Sequence, residues 1–326
     1  MRVLCTGGAG YVGSACLRWL LKHGHDPIAY DNLSEGNAKA VPQGRLVNGD
    51  ILDKAALSRA IKEHKADAVM HFAASASVPE SLKDPELYWR NNLIGTKTVL
   101  DAMLENGVKR IVFSSTAATY AFDVEMPIRE DTTQQPQTPY GTSKLAAEWL
   151  IKDYARTYEM GYALLRYFNA CGADEDGQFG EDRRVESHLI PLTLYAALGK
   201  NKLRVTGTDF PTRDGTAVRD YVHTDDLGQA HQLCLEALKP GVAKVYNLGT
   251  GTGITVKEVL QACEKVVGRP IPHESAPRRP GDPALLIASP DAIKRDLGWK
   301  PKYNDIGAIV ASAWKWHASH PNGYRE

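Results

Sequence analysis

Short apolar runs alternate with longer segments of helical periodicity along the first half of the chain. RVLCT, PIAYD, RLVNGD, DAVMHFAA, RIVFSS and YALLRYFN read as strands, and the segments between them repeat apolar residues at helical spacing. Strand and helix in alternation predict a parallel sheet covered on both faces, an α/β fold. The sequence has no internal repeat and no low-complexity segment.

After Asn169 this rhythm gives way to CGADEDGQFGEDRRVE, too polar to pack as core, and the chain is expected to leave the sheet domain there. A helix is predicted from about His188 to Leu198, a strand near LRVTG, and a second polar loop over TDFPTRDGTAVRDYVH. Thr255 and Glu258 form a capping-box pattern before VLQACEKVV, and Ser289-Pro290 opens DAIKRDLG, which stops at Gly298. The expected organisation is a sheet domain over 1–172, with a strand and a helix returning near 216–250. A smaller, loop-rich, mixed α/β domain follows over 173–326, suited to covering a substrate.

Composition narrows the class. The 326 residues are 43% hydrophobic and 24% charged, enough for a full core, and 39 basic residues balance 39 acidic ones with no basic run. Nothing in this pattern suits nucleic acid or an anionic membrane. The N-terminus lacks the pattern of a secretory signal, and no apolar run is long enough to span a bilayer. The cysteines (Cys5, Cys16, Cys171, Cys234, Cys263) are scattered and never form a CxxC pair, which predicts neither a disulfide framework nor a zinc or other metal site. A reducing cytoplasm and small-molecule chemistry are expected.

TGGAGYVG, residues 6–13, follows the first strand and opens the helical pattern VGSACLRWLLKHG. Gly7, Gly10 and Gly13 would let the chain turn tightly, approach a pyrophosphate with backbone N–H groups, and pack helix on strand. A glycine cluster alone is often only a turn. Here Asp31 closes the second strand about twenty residues later, where a carboxylate accepts from ribose hydroxyls and repels a 2′-phosphate, so NAD is expected over NADP. The predicted fold is therefore a Rossmann-type, doubly wound parallel sheet. Asp50 either meets the adenine amino group or caps the KAALSRAI helix; local sequence supports both.

RIVFSS runs into Thr116, and twenty-four residues later YGTSK places Tyr140 and Lys144 one turn apart on a helix. A phenol with an ordinary pKa near ~10 is a poor base at neutral pH, so a neighbouring cation is what base chemistry requires. Tyr and Lys at this spacing are commonplace on helix surfaces. Combined with the glycine loop and Thr116, however, they resemble the extended short-chain dehydrogenase/reductase family, with its TGxxGxxG loop and Ser/Thr…YxxxK triad.

Within it, TGGAGYVGS, YDNLS, NGDILD, HFAA, NNLIGT, FSSTA, PYGTSK, RYFNACGAD, HLIP, DGTAVRDYVH, YNLGTG and RRPGDP occur in the order of the UDP-glucose 4-epimerase family. The resemblance implies NAD, a UDP-sugar substrate inverted at C4, and a homodimer. It implies that Tyr11, Val12, Asn32, Ser34, Gly36, Ile51, Phe72, Ala73, Ala74, Asn92 and Tyr167 line the NAD site with the residues above. It also implies that Asn169, His188, Leu189, Arg219, Arg279, Asp282 and Leu286 hold the UDP-sugar with Thr116 and Tyr140. Read from their loops alone, Arg219 and Arg279 suit pyrophosphate oxygens, or equally surface pairing with Asp220 or Asp282, and His188 could be a helix cap.

Three positions depart from the commonest family pattern. Ala76 stands where some members have lysine, Thr206 where an aromatic often meets the uracil, and Thr116 replaces a serine. The rival functions are a nucleotide-sugar 4,6-dehydratase, a silent NAD-binding protein and an ordinary alcohol dehydrogenase; UDP-N-acetylglucosamine or a UDP-pentose are the alternative substrates. Ala117 and Ala118 follow Thr116 where a dehydratase resembles its relatives in an Asp-Glu pair, which speaks against the first.

Overall fold

The protein is described by a computed structural model over residues 1–279 and 282–325. In chain order the first lobe runs β1 (Arg2–Thr6), α1 (Tyr11–Lys22), β2 (Asp26–Asp31), β3 (Leu46–Asn48), α2 (Lys54–Glu63) and β4 (Ala68–His71). Short helices α3 (Val78–Ser81) and α4 (Pro85–Tyr88) lead through a π-helical turn at Trp89–Ile94 into α5 (Gly95–Glu105). Then come β5 (Arg110–Thr116), α6 (Pro139–Tyr158) and β6 (Gly161–Tyr167).

The second part begins with β7 (Asn169–Cys171), α7 (Leu189–Ala197), β8 (Leu203–Thr206), β9 (Val218–Arg219) and β10 (Tyr221–His223). The chain returns through α8 (Thr224–Ala237) and β11 (Ala243–Leu248). It finishes with β12 (Ile254–Thr255), α9 (Val256–Val267), β13 (His273–Ala276), β14 (Leu285–Leu286), α10 (Asp291–Leu297) and α11 (Ile306–Ser319).

Seven parallel strands form the main sheet in the order β11-β6-β5-β4-β1-β2-β3. Its faces bury separate cores. Leu17 and Leu20 of α1, Leu227 and Cys234 of α8, Ile293 and Trp299 share one. Leu57 and Ile61 of α2, Leu100 and Met103 of α5, and Ala147 and Ile151 of α6 share the other. The strand order reverses direction between β1 and β4, so a crevice opens beyond the carboxyl ends of those strands, where doubly wound sheets bind ligands.

Smaller sheets, β7 with β10, β8 with β13, and β12-β9-β14, build the other lobe with α7, α9 and α11 around Leu194, Val259, Leu260 and Val310. Strand β11 lies in the main sheet, and α10 packs on β11 and α8.

Local departures from the sequence reading have local causes. YALLRYFN is divided between β6 and β7. The loop read over TDFPTRDGTAVRDYVH contains β9 and β10. Asp50 does not cap the KAALSRAI helix: Asp53 does, accepting from Ala56 N–H at 3.0 Å. The capping box of Thr255 and Glu258 is present on α9, whereas α10 starts at Pro290 with no side-chain cap.

Candidate active site

The glycine loop leaves β1 pressed against the chain leaving β4. Gly7 has φ +69°, and a Cβ there would lie 2.5 Å from the Ala73 nitrogen; a Cβ on Gly13 would lie 2.2 Å from the Gly7 carbonyl oxygen. Any side chain at either position would push loop, helix and strand apart. Helix α1 starts at Gly10 with no side-chain cap and no acidic residue in its first turn. Among the described residues, the N–H groups of Tyr11, Val12 and Gly13 find no acceptor. Oriented donors at a helix N-terminus suit an anion such as a dinucleotide pyrophosphate.

Asp31, at the end of β2, is buried and accepts from Ala9 N–H at 2.9 Å and Leu33 N–H at 2.8 Å. Burial raises its pKa more than these two bonds lower it. The loop beyond it folds back: Asn37 N–H donates to the Ala9 carbonyl, and a Cβ on Gly36 would lie 3.0 Å from Asp31 Oδ1. Asn32 is exposed, donating to Asp50 at 3.1 Å and accepting from Ser34 N–H at 3.0 Å. Asp50 also holds Leu52 N–H at 2.8 Å. Ile51 is buried against Gly95 at the start of α5.

Phe72, Ala73 and Ala74 continue β4 into the crevice, half-buried. The Phe72 ring lies tilted against His231 of α8 at 4.9 Å, and Tyr167, at the end of β6, meets the same imidazole and the Ser114 hydroxyl. Asn92, in the π turn, is 1% exposed and committed to protein: its amide donates to Ser75 O and Ser143 Oγ, both at 3.0 Å, and accepts from Ser75 N–H at 2.8 Å. Its place is thus to tie the β4–α3 loop to the helix that carries Tyr140 and Lys144.

Thr116, Tyr140 and Lys144 converge where β5 ends and α6 begins. Thr138 caps α6 through Gly141 N–H at 3.2 Å and Pro139 opens its first turn, which sets Tyr140 at the crevice. The Tyr140 ring meets the edge of Tyr88 at 6.2 Å. Burial raises the Tyr140 pKa, against the Thr116 hydrogen bond and the Arg183 charge, which lower it. Lys144 is 2% exposed with its ammonium 4.2 Å from the Phe113 ring centroid, and burial drops it from 10.5 to about 7.

The neighbouring cation that base chemistry at Tyr140 requires is thus Lys144, held out of water one turn further along α6. With its pKa at about 7, Lys144 is about half protonated near neutrality, and a further positive charge in the crevice would add to its field on the phenol.

Below these groups, Glu148 and Arg166 form a fully buried fork: Nε to Oε1 is 2.9 Å and Nη2 to Oε2 is 2.6 Å, with Ser115 donating to the same carboxylate at 2.6 Å. Sequence reasoning missed this pair, although Glu148 stands one turn beyond Lys144.

The other wall comes from the second lobe. Asn169, on β7, donates through its amide to Asp220 O at 2.7 Å. Arg219 on β9 pairs with Asp282 and not with Asp220, whose carboxylate instead takes N–H groups of Thr250, Gly251 and Ala288. Arg279 is exposed and turns back so that Asp282 N–H meets its carbonyl at 3.2 Å; Pro280 and Gly281 of RRPGDP lie outside the described residues.

Leu286 on β14 is in register with Arg219 and packs on a cluster of Ala117, Tyr120, Ile128 and Phe168 beside Thr116. Thr206 ends β8 and Ala76 is exposed in the β4–α3 loop. Leu189 begins α7, and His188 precedes it without capping it; its Nδ1 faces Glu181 at 2.8 Å. Glu181 and Arg183 were not singled out from sequence, because a polar loop gives no sign of which charges it buries.

Comparison with known proteins places these features in a wider set. Residues 3–249 match the description of the NAD dependent epimerase/dehydratase family. The chain is 48% identical over 326 residues to a UDP-glucose 4-epimerase of Halalkalibacterium halodurans, covering 99% of this chain and 98% of that protein. A crystal structure of a UDP-glucose 4-epimerase superposes with a TM-score of 0.97 at 43% identity, covering 100% of both chains. The Bifidobacterium longum UDP-glucose 4-epimerase in complex with NAD+ and UDP superposes with a TM-score of 0.94 at 38% identity, covering 99% of this chain and 100% of that one.

Proposed function

The chain belongs to the NAD dependent epimerase/dehydratase family, and we propose that within it the protein inverts C4 of a UDP-hexose, interconverting UDP-glucose and UDP-galactose. The observation that carries this reading is the placement of Thr116, Tyr140 and Lys144 at the carboxyl end of β5, across the crevice from the uncapped start of α1. The free N–H groups of Tyr11 to Gly13 and the buried carboxylate of Asp31 fit NAD, the former toward pyrophosphate and the latter toward the ribose. NAD, when bound, supplies the hydride acceptor and donor at C4 and, oxidised, a positive charge near the phenol.

The protein's own groups move the proton. Tyr140 takes the 4-hydroxyl proton as C4 is oxidised, and Thr116, whose hydroxyl lowers the Tyr140 pKa, orients O4 and passes the proton across. Lys144 stabilises the phenolate in its charged form. Asn169, His188, Leu189, Arg219, Arg279, Asp282 and Leu286 hold the nucleotide and the sugar while the 4-keto sugar turns its other face. The proton then returns to O4 from Tyr140, so the net reaction consumes no oxidant. Ala117 and Ala118 offer no carboxylate to expel a hydroxyl, which separates this reading from a dehydratase.

The protein acts as a homodimer. Apolar side chains of α4, the π turn and α6, elements that pack on one another, face solvent: Leu87, Trp89, Ile94 and Trp149 are 38%, 38%, 50% and 56% exposed. Among the described residues no helix is long and apolar enough to cross a membrane, and all five cysteines are buried free thiols, as suits the cytoplasm. Incubating the NAD-loaded protein with UDP-glucose, UDP-galactose and their N-acetylated and pentose counterparts, then separating C4 epimers, tests the reading. Interconversion of the hexoses is expected; no epimer from any UDP-sugar overturns it, and release of NADH would mark an ordinary dehydrogenase.

A further inference from the structure

Glu181 is 3% exposed, and a carboxylate buried to that degree is costly unless it is paired. Its partners are a guanidinium and an imidazole on one oxygen: Oε1 lies 2.7 Å from Arg183 Nε and 2.8 Å from His188 Nδ1. Burial pushes the Glu181 carboxyl up, but His188 and Arg183 pull it down further, to about 2, so it stays ionised.

The His188 backbone is anchored as well, since Glu186 Oε1 accepts from Ser187 N–H at 2.7 Å and His188 N–H at 2.8 Å. The main chain is anchored, and the buried Nδ1 edge of the ring faces the Glu181 carboxylate at ion-pair distance. The other nitrogen, Nε2, has no partner among the described residues, and the side chain is 37% exposed at the start of α7. Glu181, Glu186 and His188 also bring ligand atoms within 4.8 Å of one another. Arg183 already pairs with the Glu181 carboxylate there.

We infer that Glu181 is a positioning residue for the proposed reaction: it takes the Nδ1 edge of His188 and so fixes the ring with Nε2 toward the substrate's UDP moiety. The inference rests on the reading of the chain as a UDP-sugar epimerase. Glu181 touches no substrate. It acts through His188, and Arg183 balances its charge, so the carboxylate persists whether or not the imidazole is protonated.

The test is a double-mutant cycle on UDP affinity, measured by titration calorimetry of the NAD-loaded enzyme for wild type, Glu181→Gln, His188→Ala and the double variant. Each single change is expected to weaken UDP about tenfold, the scale of one hydrogen bond to a charged group, and the double variant to bind no more weakly than His188→Ala. A further, additive loss in the double variant, or unchanged affinity in Glu181→Gln, overturns the inference. The nitrogen-15 resonances of His188 in the wild-type protein give a second measurement that does not depend on a variant folding. Nδ1 should carry a proton, and an unprotonated Nδ1 would overturn the assignment. A wild type that binds UDP yet interconverts no UDP-sugar sinks the proposed function while the cycle still reports on Glu181.

Discussion

The ammonium of Lys144 stands 4.2 Å from the centroid of the Phe113 ring, buried beneath the crevice one helical turn from Tyr140. The ring face attracts the charge but replaces little of the water it has lost, and the folded pKa falls from 10.5 to about 7. The group the reaction needs is therefore one the fold holds at a cost.

That cost is measurable. With a folded pKa below the unfolded one, the protonated lysine destabilises the fold fully below pH about 7; the penalty fades as pH rises toward 10.5 and is absent above it. Lys144→Met should raise stability near neutral pH by roughly 2 to 4 kcal/mol and lose activity together. Urea unfolding at pH 7 and pH 10 checks it: the gain should shrink at the higher pH, and a variant less stable at both would refute the account.

Tyr140→Phe should lower kcat about 100- to 10,000-fold, the usual contribution of a positioned base. NAD content should be unchanged, because the phenol is not part of the glycine loop. A folded, NAD-loaded variant turning over at the wild-type rate would remove Tyr140 from the mechanism.

Cofactor choice rests on Asp31. Asp31→Asn should weaken NAD retention about tenfold and narrow its advantage over NADP, since the substitution removes the charge that accepts from ribose hydroxyls and repels a 2′-phosphate. Nucleotides released on denaturation can be quantified by chromatography. Asn must also keep the Ala9 and Leu33 N–H groups satisfied, so a thermal melt accompanies the measurement. Equal NAD and NADP content in the wild type would place the carboxylate away from the ribose.

Leu286 lies beside the Ala117–Phe168 cluster and in register with Arg219. Leu286→Ala should raise turnover of UDP-N-acetylglucosamine relative to UDP-glucose about threefold to tenfold, because a pocket short of one or two methylenes discriminates by only about 1 to 3 kcal/mol. An unchanged ratio would mean that the side chain serves only that cluster.

Trp149→Glu places a charge in the exposed apolar face of α6 and should convert a dimer to monomers, read by sedimentation. A wild type that is already monomeric at micromolar concentration contradicts the proposed assembly.

The central strands of the main sheet, β1, β4, β5 and β6, were legible because each is an apolar run buried on both sides, and the glycine loop because only glycine fits where Gly7 meets Ala73. The YxxxK pair was legible as spacing, but its electrostatics were not: whether Lys144 is solvated or lies over Phe113 depends on a strand thirty residues away in sequence. The same limit hid Glu148 with Arg166 and Glu181 with His188, whose partners are distant or lie in a loop without periodicity. Asp50 was read as meeting adenine or capping the KAALSRAI helix, and the cap falls instead to Asp53, which stands directly before the first helical residue.

The order of strands also bears on how the chain reaches its native state. Strand β11 completes the main sheet beside β6, yet seventy-five residues separate the end of one from the start of the other, and β7 to β10 lie between them. During synthesis β6 remains an open edge, offering unpaired N–H and C=O groups, until residues 243–248 have emerged. The first part of the lobe that meets the UDP-sugar, β7 to β10, is consequently tied at both ends to the same sheet, and the rest of that lobe follows β11. A chain cut after β7 keeps every residue of the glycine loop and of the Thr116, Tyr140 and Lys144 group, but leaves that edge bare and prone to pairing with another copy.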